Sequence, residues 1–210
     1  MNPMWLVSPI EFIQNEHPLI MAHRGDSARV PENTNLAFKQ AAQLDVDVIE
    51  TDVHITKDKE LVFFHDSKLG RTTNTKGKVT KKTLQELKEL DMGYRFDPAG
   101  DDTFPYRDKN LEILTVQEVL EKYPNMRFNM DIKDKDVKQP AVLAQKLKDL
   151  GAEKRVQVGS FHQKQINAFR KLSKSPTSAG PIETWKFMRK AKKWIKKNSK
   201  RIKHNNPVEN

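Results

Sequence analysis

The stretch from Val46 to Ile55 constrains this chain most, because its residues alternate with period two and read as a strand. Val48, Glu50, Asp52 and His54 then share one face, and Ile49, Thr51, Val53 and Ile55 the other. Such a strand suits a sheet with one side covered by helices and the other carrying polar residues toward a ligand. The alternation returns over Met126 to Lys133, where Phe128, Met130 and Ile132 oppose Asn129, Asp131 and Lys133.

Two further apolar runs end in histidine: Leu19 to His23, followed by Arg24-Gly25-Asp26, and Leu61 to His65, followed by Asp66. Arg155 to Ser160 reads as a fifth strand and Pro176 to Gly180 as a sixth. Helices are predicted between them. Asn33 or Thr34 caps one running to Gln43, and Thr83-Leu84-Gln85-Glu86 and Thr115-Val116-Gln117-Glu118 have capping-box spacing. Pro140 and Gly151 bracket another helix, and His162 to Leu172 forms the next. Residues 91 to 110, with Gly93, Pro98, Gly100 and Pro105, read as an excursion.

Strands alternating with helices predict an α/β fold: a TIM-barrel-like parallel sheet with surrounding helices. At 210 residues the chain is short for a (β/α)8 barrel, which typically needs about 250. The expectation is therefore an incomplete barrel over residues 1–180, with about six of eight strands, followed by a basic C-terminal helix or tail over residues 181–210.

Composition narrows the chemistry. There is no cysteine, so disulfides, a thiol nucleophile and thiolate ligation are excluded, and any metal takes oxygen or imidazole ligands. No run approaches the roughly 18 apolar residues of a membrane span, and Pro3, Pro9 and Glu11 interrupt any secretory leader, so a cytoplasmic protein is expected. Of the net charge of +10, residues 181–210 contribute +8 through ten Lys or Arg against two Glu. The body is near neutral, and without a recognition motif no nucleic-acid partner is expected. From Glu183 to about Lys200 a helix places Trp185, Met188 and Ile195 on one stripe amid lysines. It suits peripheral contact with an anionic membrane; the alternative is a solvated tail.

Glu50, Asp52 and Asp131, on converging strands, repel one another unless a cation sits among them, and an all-oxygen site suits Ca2+ or Mg2+. Histidine as a residue type titrates near neutrality, so His23 and His65 can form an acid/base pair. Arg24 and Lys133 can hold phosphate oxygens. Taken singly each has a plainer reading, with the carboxylates on the solvated face of an edge strand and each histidine structural.

Their combination is more specific. His23-Arg24-Gly25, Pro31-Glu32-Asn33-Thr34, Ala37-Phe38, Glu50-Thr51-Asp52-Val53, Thr56-Lys57-Asp58, His65-Asp66, Arg71-Thr72-Thr73 and Gly77 stand in an order and spacing that resembles the glycerophosphodiester phosphodiesterase family. Met130-Asp131-Ile132-Lys133 and Gly159-Ser160-Phe161 extend the resemblance to about Gly180. At Asp131 the family usually has glutamate, and no counterpart of its last two strands is found, so the chain resembles a C-terminally truncated member.

The resemblance implies a TIM-barrel hydrolase that uses a divalent cation, Ca2+ or Mg2+, to cleave glycerophosphodiesters to an alcohol and glycerol 3-phosphate. By matching motif, His23 and His65 are the catalytic pair, Glu50, Asp52 and Asp131 the metal ligands, and Arg24 and Lys133 the phosphate contacts. Glu32 stays outside this set because its loop position equally suits support of the following helix. Two alternatives remain open: a lysophospholipase D-type hydrolase, and an inactive remnant that binds anionic membrane through its tail.

Overall fold

The computed structural model describes residues 10–204; the start of the expected lead-in helix at Ser8-Pro9 and the tail beyond His204 lie outside them. The elements run α1 (Ile10–Ile13), β1 (Met21–His23), α2 (Asn35–Gln43), β2 (Val48–Ile55), β3 (Leu61–Phe63), α3 (Leu84–Lys88), α4 (Val116–Lys122), β4 (Arg127–Ile132), α5 (Gln139–Asp149), β5 (Val156–Gly159), α6 (Gln163–Phe169) and α7 (Pro181–His204). Among the described residues they make a five-stranded α/β sheet with surrounding helices.

β2 is the organising strand. One edge pairs in parallel with β4 over Val48 to Val53. The other edge is divided: β1 pairs in parallel with its first three residues and β3 in antiparallel with its last three. β5 continues the parallel sheet beyond β4. The antiparallel β3 departs from the all-parallel expectation because Thr56 to Glu60 is too short a link for a crossover, so the chain can only fold back as a hairpin. The expected sixth strand, Pro176 to Gly180, is reduced to a bridge between Thr177 and Val158. The serine and glycine residues of that stretch supply little β-propensity, which gives the reduction a physical reason.

The helices cover the apolar face. Thr34 caps α2 by accepting from the Ala37 N–H, and Ala37, Phe38 and Ala41 form its buried side. Phe38 packs edge-on against Phe63 and Phe128, at ring-centroid distances of 5.6 and 6.4 Å, and joins α2 to β3 and β4. Val116, Val119, Leu143, Leu147 and Phe169 complete this core from α4, α5 and α6. Both expected capping boxes are present, at Thr83/Glu86 and Thr115/Glu118. A second cluster of Val62, Phe64, Leu69, Leu87, Met92 and Ile113 anchors the long segment between β3 and α4.

The opposite face of β2 is not solvated. Asp52 and His54 are 2 % and 1 % exposed, and the strand has neighbours on both edges, so the reading of Glu50 and Asp52 as an exposed edge falls away. Ionisable side chains turned into an enclosed interior need partners or a ligand.

Candidate active site

The sheet register assembles the acidic residues. Asp52 stands directly opposite Asp131, and Glu50 directly opposite His23. Residues paired across parallel strands project to the same side, so three carboxylates and an imidazole converge near the C-terminal ends of β1, β2 and β4. Asp131 in turn faces Gly159, where an added Cβ would stand 2.9 Å from Ser178 Oγ and 3.5 Å from Asp131 Oδ1, so the glycine lets Ser178 pack close to the strand beside the carboxylate.

Two cations enter the cluster. Lys133 Nζ lies 2.8 Å from Asp52 and 3.1 Å from Asp131. Arg24 Nε lies 3.5 Å from Asp52. Arg24 reaches it from a left-handed backbone conformation, φ +57°, followed by Gly25 at φ +76°. A side chain on Gly25 would stand 2.7 Å from the Ala37 carbonyl carbon, so the turn packs directly on α2 and only glycine fits. The turn is tied down by the Arg24 N–H donating to the Glu50 carbonyl at 2.7 Å and the Asn33 N–H donating to the Arg24 carbonyl at 3.1 Å.

The two histidines sit at the rim of this cluster. His23 Nε2 is 3.8 Å from Glu50, and the ring is mostly exposed. His65 Nδ1 donates to Asp66 at 2.6 Å, and His65 is close enough to His23 for its charge to count among the influences on that ring. A bidentate bridge links their loops: Arg71 donates to both Glu32 oxygens at 2.6 and 3.0 Å, while Arg24 donates to the same carboxylate at 3.1 Å. Arg71 Nε then donates to Asp66 at 2.6 Å. The chain Arg24–Glu32–Arg71–Asp66–His65 thus couples the loop after β1 to the loop after β3. Beneath it, buried His54 has Nδ1 2.8 Å from Asp134 and Nε2 3.3 Å from the His65 carbonyl oxygen.

Burial and charge set the protonation of the cluster. Burial, reinforced by the charge of Asp52, raises Glu50 to about 7. Burial also raises Asp131, although Lys133 offsets part of that rise. For Lys133 burial is outweighed by Asp52 and Asp131, which hold its ammonium above the usual range. Burial and the neighbouring Arg24 lower His23 and favour a neutral imidazole. Burial works against ionising Glu32 and Asp66, yet hydrogen bonds from Arg71, with Arg24 on Glu32 and His65 on Asp66, hold both below their ordinary values.

The cluster has spare acceptor capacity. Glu50 Oε2, Asp52 Oδ2 and Asn129 Oδ1 are buried without a hydrogen-bond donor, and Asp131 Oδ2 is ion-paired with the Lys133 ammonium at 3.1 Å. That set, hard oxygens on three carboxylates and an amide, fits Ca2+ or Mg2+ in type. Among the described residues no three Asp, Glu, His or Cys side chains are drawn together tightly enough to form a ready-made cation site, and the Lys133 ammonium holds Asp52 and Asp131 in their present spacing.

A cleft of about 400 Å3 opens beside Asp131, walled by Ser160, Phe161, Pro181 and Trp185. A larger hollow of about 540 Å3 lies at the opposite ends of the strands, near Asp47 and Arg127, away from the carboxylates. Strand ends of this polarity carry the sites of α/β proteins, so the cleft beside Asp131 is the relevant one.

A model of the glycerophosphoryl diester phosphodiesterase family matches residues 23–205. The chain belongs to this family. Among its relatives, the glycerophosphodiester phosphodiesterase of Caldanaerobacter subterraneus subsp. tengcongensis is 40 % identical over 162 residues, which cover 74 % of this chain and 63 % of that protein. The crystal structure of a glycerophosphoryl diester phosphodiesterase domain from Mycobacterium tuberculosis superposes with a TM-score of 0.75 at 28 % identity, covering 81 % of this chain and 63 % of that one. An Oleispira antarctica phosphodiesterase solved in complex with the product sn-glycerol-3-phosphate gives a TM-score of 0.64 at 30 % identity, covering 74 % of this chain and 62 % of that one. This family member therefore spans a little under two thirds of the length of these relatives.

The sequence-derived residues of this glycerophosphoryl diester phosphodiesterase family chain fall into two groups in space. Asp52, Asp131, Arg24 and Lys133 form one ion-paired set, which the Arg24 N–H to Glu50 carbonyl hydrogen bond joins to Glu50 and His23. His65 is bonded to it through Asp66, Arg71 and Glu32. Sequence reasoning passed over Arg71, Asp66, His54 and Asp134 as site residues and set Glu32 aside. The family motifs contain Glu32, Asp66 and Arg71, but a bridge 39 residues long in sequence between Glu32 and Arg71 leaves no periodic trace.

Proposed function

We propose that this chain hydrolyses glycerophosphodiesters to an alcohol and glycerol 3-phosphate with the help of a divalent cation. The observation that carries the reading is the group of buried carboxylate oxygens on Glu50, Asp52 and Asp131, with Glu50 Oε2 and Asp52 Oδ2 lacking a donor, beside the cations Arg24 and Lys133, with His23 and His65 at the rim. A phosphodiester needs this juxtaposition: cationic groups for its anionic oxygens, and two proton-transfer groups for the entering and leaving oxygens.

In this reading Glu50, Asp52 and Asp131 hold Ca2+ or Mg2+. When bound, the cation supplies Lewis-acid stabilisation of charge on the phosphoryl oxygens. Arg24 and Lys133 orient the phosphate, each held in place by Asp52. One of the two histidines takes a proton from the attacking oxygen and the other returns one to the departing alkoxide. Asp66, held ionised by Arg71, accepts from His65 Nδ1–H and leaves Nε2 to carry the transferred proton. Glu32 and Arg71 act as positioning residues for the two loops.

Glycerophosphocholine, assayed for released glycerol 3-phosphate, tests the proposal. Release is expected to stop with chelator, to return with Ca2+ or Mg2+, and to fall at least about a hundredfold in His23→Ala and in His65→Ala. Chelator-resistant hydrolysis, or full activity without either imidazole, overturns it. The cleft beside Asp131, walled by Phe161 and Trp185, favours a second reading of the substrate alone: a lysophospholipase D-type reaction in which the acyl chain lies along those rings. A higher kcat/KM for lysophosphatidylcholine than for glycerophosphocholine supports that reading, and the reverse order removes it.

A further inference from the structure

The described part of α7 divides into two unlike halves. At 3.6 residues per turn, Trp194, Phe187, Ile195, Met188 and Trp185 follow one another around one half of the helix surface. Arg189, Lys193, Lys186, Lys197 and Lys190 occupy the other half, within an arc of about 100°. Between Thr184 and Asn198 there are seven Lys or Arg and no acidic residue.

The large apolar side chains are uncovered: Phe187 is 68 % exposed, Trp194 62 % and Ile195 55 %. The helix is fastened to the body near its start. Arg170 pairs with Glu183, the Gly180 N–H donates to Glu183 at 2.7 Å, and the Ile182 N–H donates to Gln163 at 3.1 Å. At 1.5 Å per residue its 24 residues extend about 36 Å, and no helix among the described residues is long and apolar enough to cross a membrane.

We propose that α7 lies in the surface of an anionic phospholipid bilayer, with its aromatic half among the acyl chains and its Lys/Arg half against the lipid phosphates. Of the surfaces such a helix can meet, this one satisfies both halves. Nucleic acid would neutralise the cations and leave five large apolar side chains in water. A second α7 would cover the apolar half while bringing two cationic helices together. At a bilayer the apolar half leaves water and the cations meet opposite charge. Lys192, which falls between Met188 and Trp185, has a stem long enough to bring its ammonium out to the headgroups. Arg189 already stacks on Trp185, 4.7 Å from the ring centroid, as a guanidinium at such a boundary does. Trp185 also walls the cleft that reaches Asp131, so the docked face is continuous with the entrance to the site. The inference does not depend on which bond that site cleaves.

Flotation of the full chain with phosphatidylglycerol-containing vesicles and with phosphatidylcholine vesicles tests it, alongside Lys190→Glu/Lys193→Glu/Lys197→Glu and Phe187→Ser/Trp194→Ser. The expected result is binding to the anionic vesicles that weakens in salt and is at least tenfold weaker on pure phosphatidylcholine. The charge-reversed variant should lose at least a hundredfold, since each cation near an anionic surface is worth about fivefold; the serine variant should lose at least tenfold. Both should keep the helical circular dichroism and full hydrolysis of soluble glycerophosphocholine. No binding, binding unchanged in either variant, or preferential capture of duplex DNA overturns the proposal. So does a dimer abolished by the serine variant without vesicle binding. Failure of hydrolysis with vesicle binding intact counts against the phosphodiesterase reading alone.

Discussion

Glu50→Gln should stabilise this chain in the absence of metal, and by an amount that depends on pH. Glu50 sits beside Asp52 on a strand buried on both edges, its side chain 17 % exposed, and its carboxyl is raised from the ordinary 4.5 to about 7. A carboxyl whose folded-state pKa is raised favours folding while protonated. Its contribution is fully present below about 4.5 and is lost as the pH rises through about 7. The interval between those values corresponds to about 3.4 kcal/mol; water reaching the carboxylate reduces the expected value to about 1.5–2 kcal/mol. Glutamine keeps the shape without the titration. Urea denaturation with chelator at pH 5, 6, 7 and 8 should therefore show the variant gaining on the parent by about 1.5–2 kcal/mol between the two ends of the range. Other carboxylates titrate in both proteins and cancel from the difference. Added Mg2+ or Ca2+ at pH 8 should close the gap by stabilising the parent more than the variant. A pH-independent difference, or a variant that loses stability relative to the parent above pH 7, would refute the assignment of Glu50 as a buried carboxylate awaiting a cation.

Three further substitutions probe separate parts of the structure. Gly25→Ala forces a side chain into 2.7 Å of the α2 backbone at a left-handed φ, and a loss of at least about 2 kcal/mol in thermal unfolding is expected; a change within experimental error would show that the turn relaxes freely. Phe38→Ala removes the ring joining α2 to β3 and β4, fully buried against Phe63 and Phe128, and should cost about 3–5 kcal/mol by denaturant titration. Arg71→Ala leaves Glu32 and Asp66 without their shared partner. The expected outcome is a fall of at least tenfold in kcat/KM for glycerophosphocholine, with a shifted pH profile and little change in circular dichroism. An unaltered pH profile would remove Arg71 from the positioning of His65.

Period-two alternation was enough to identify β2 and β4 and to put Glu50, Asp52 and Asp131 on a common side, because a strand sends successive side chains to opposite faces whatever surrounds it. Local capping chemistry likewise marked the starts of α2, α3 and α4, since Thr34, Thr83 and Thr115 satisfy amide groups only three residues away. Pairing is a different matter. The side by side placement of Asp52 and Asp131 depends on register between strands far apart in the chain, and the sharing of one β2 edge by β1 and β3 depends on a hairpin excluding a parallel neighbour. Ion pairs are still less local. Glu32 and Arg71 meet because their loops are held at the same end of the sheet, and Lys133 reaches both aspartates because the strands converge there. Residue order therefore decided which side chains face inward and what chemistry they carry. Tertiary packing decided which of them share charge, because a charge buried in the fold answers to whatever the fold brings within a few ångströms, however distant in sequence.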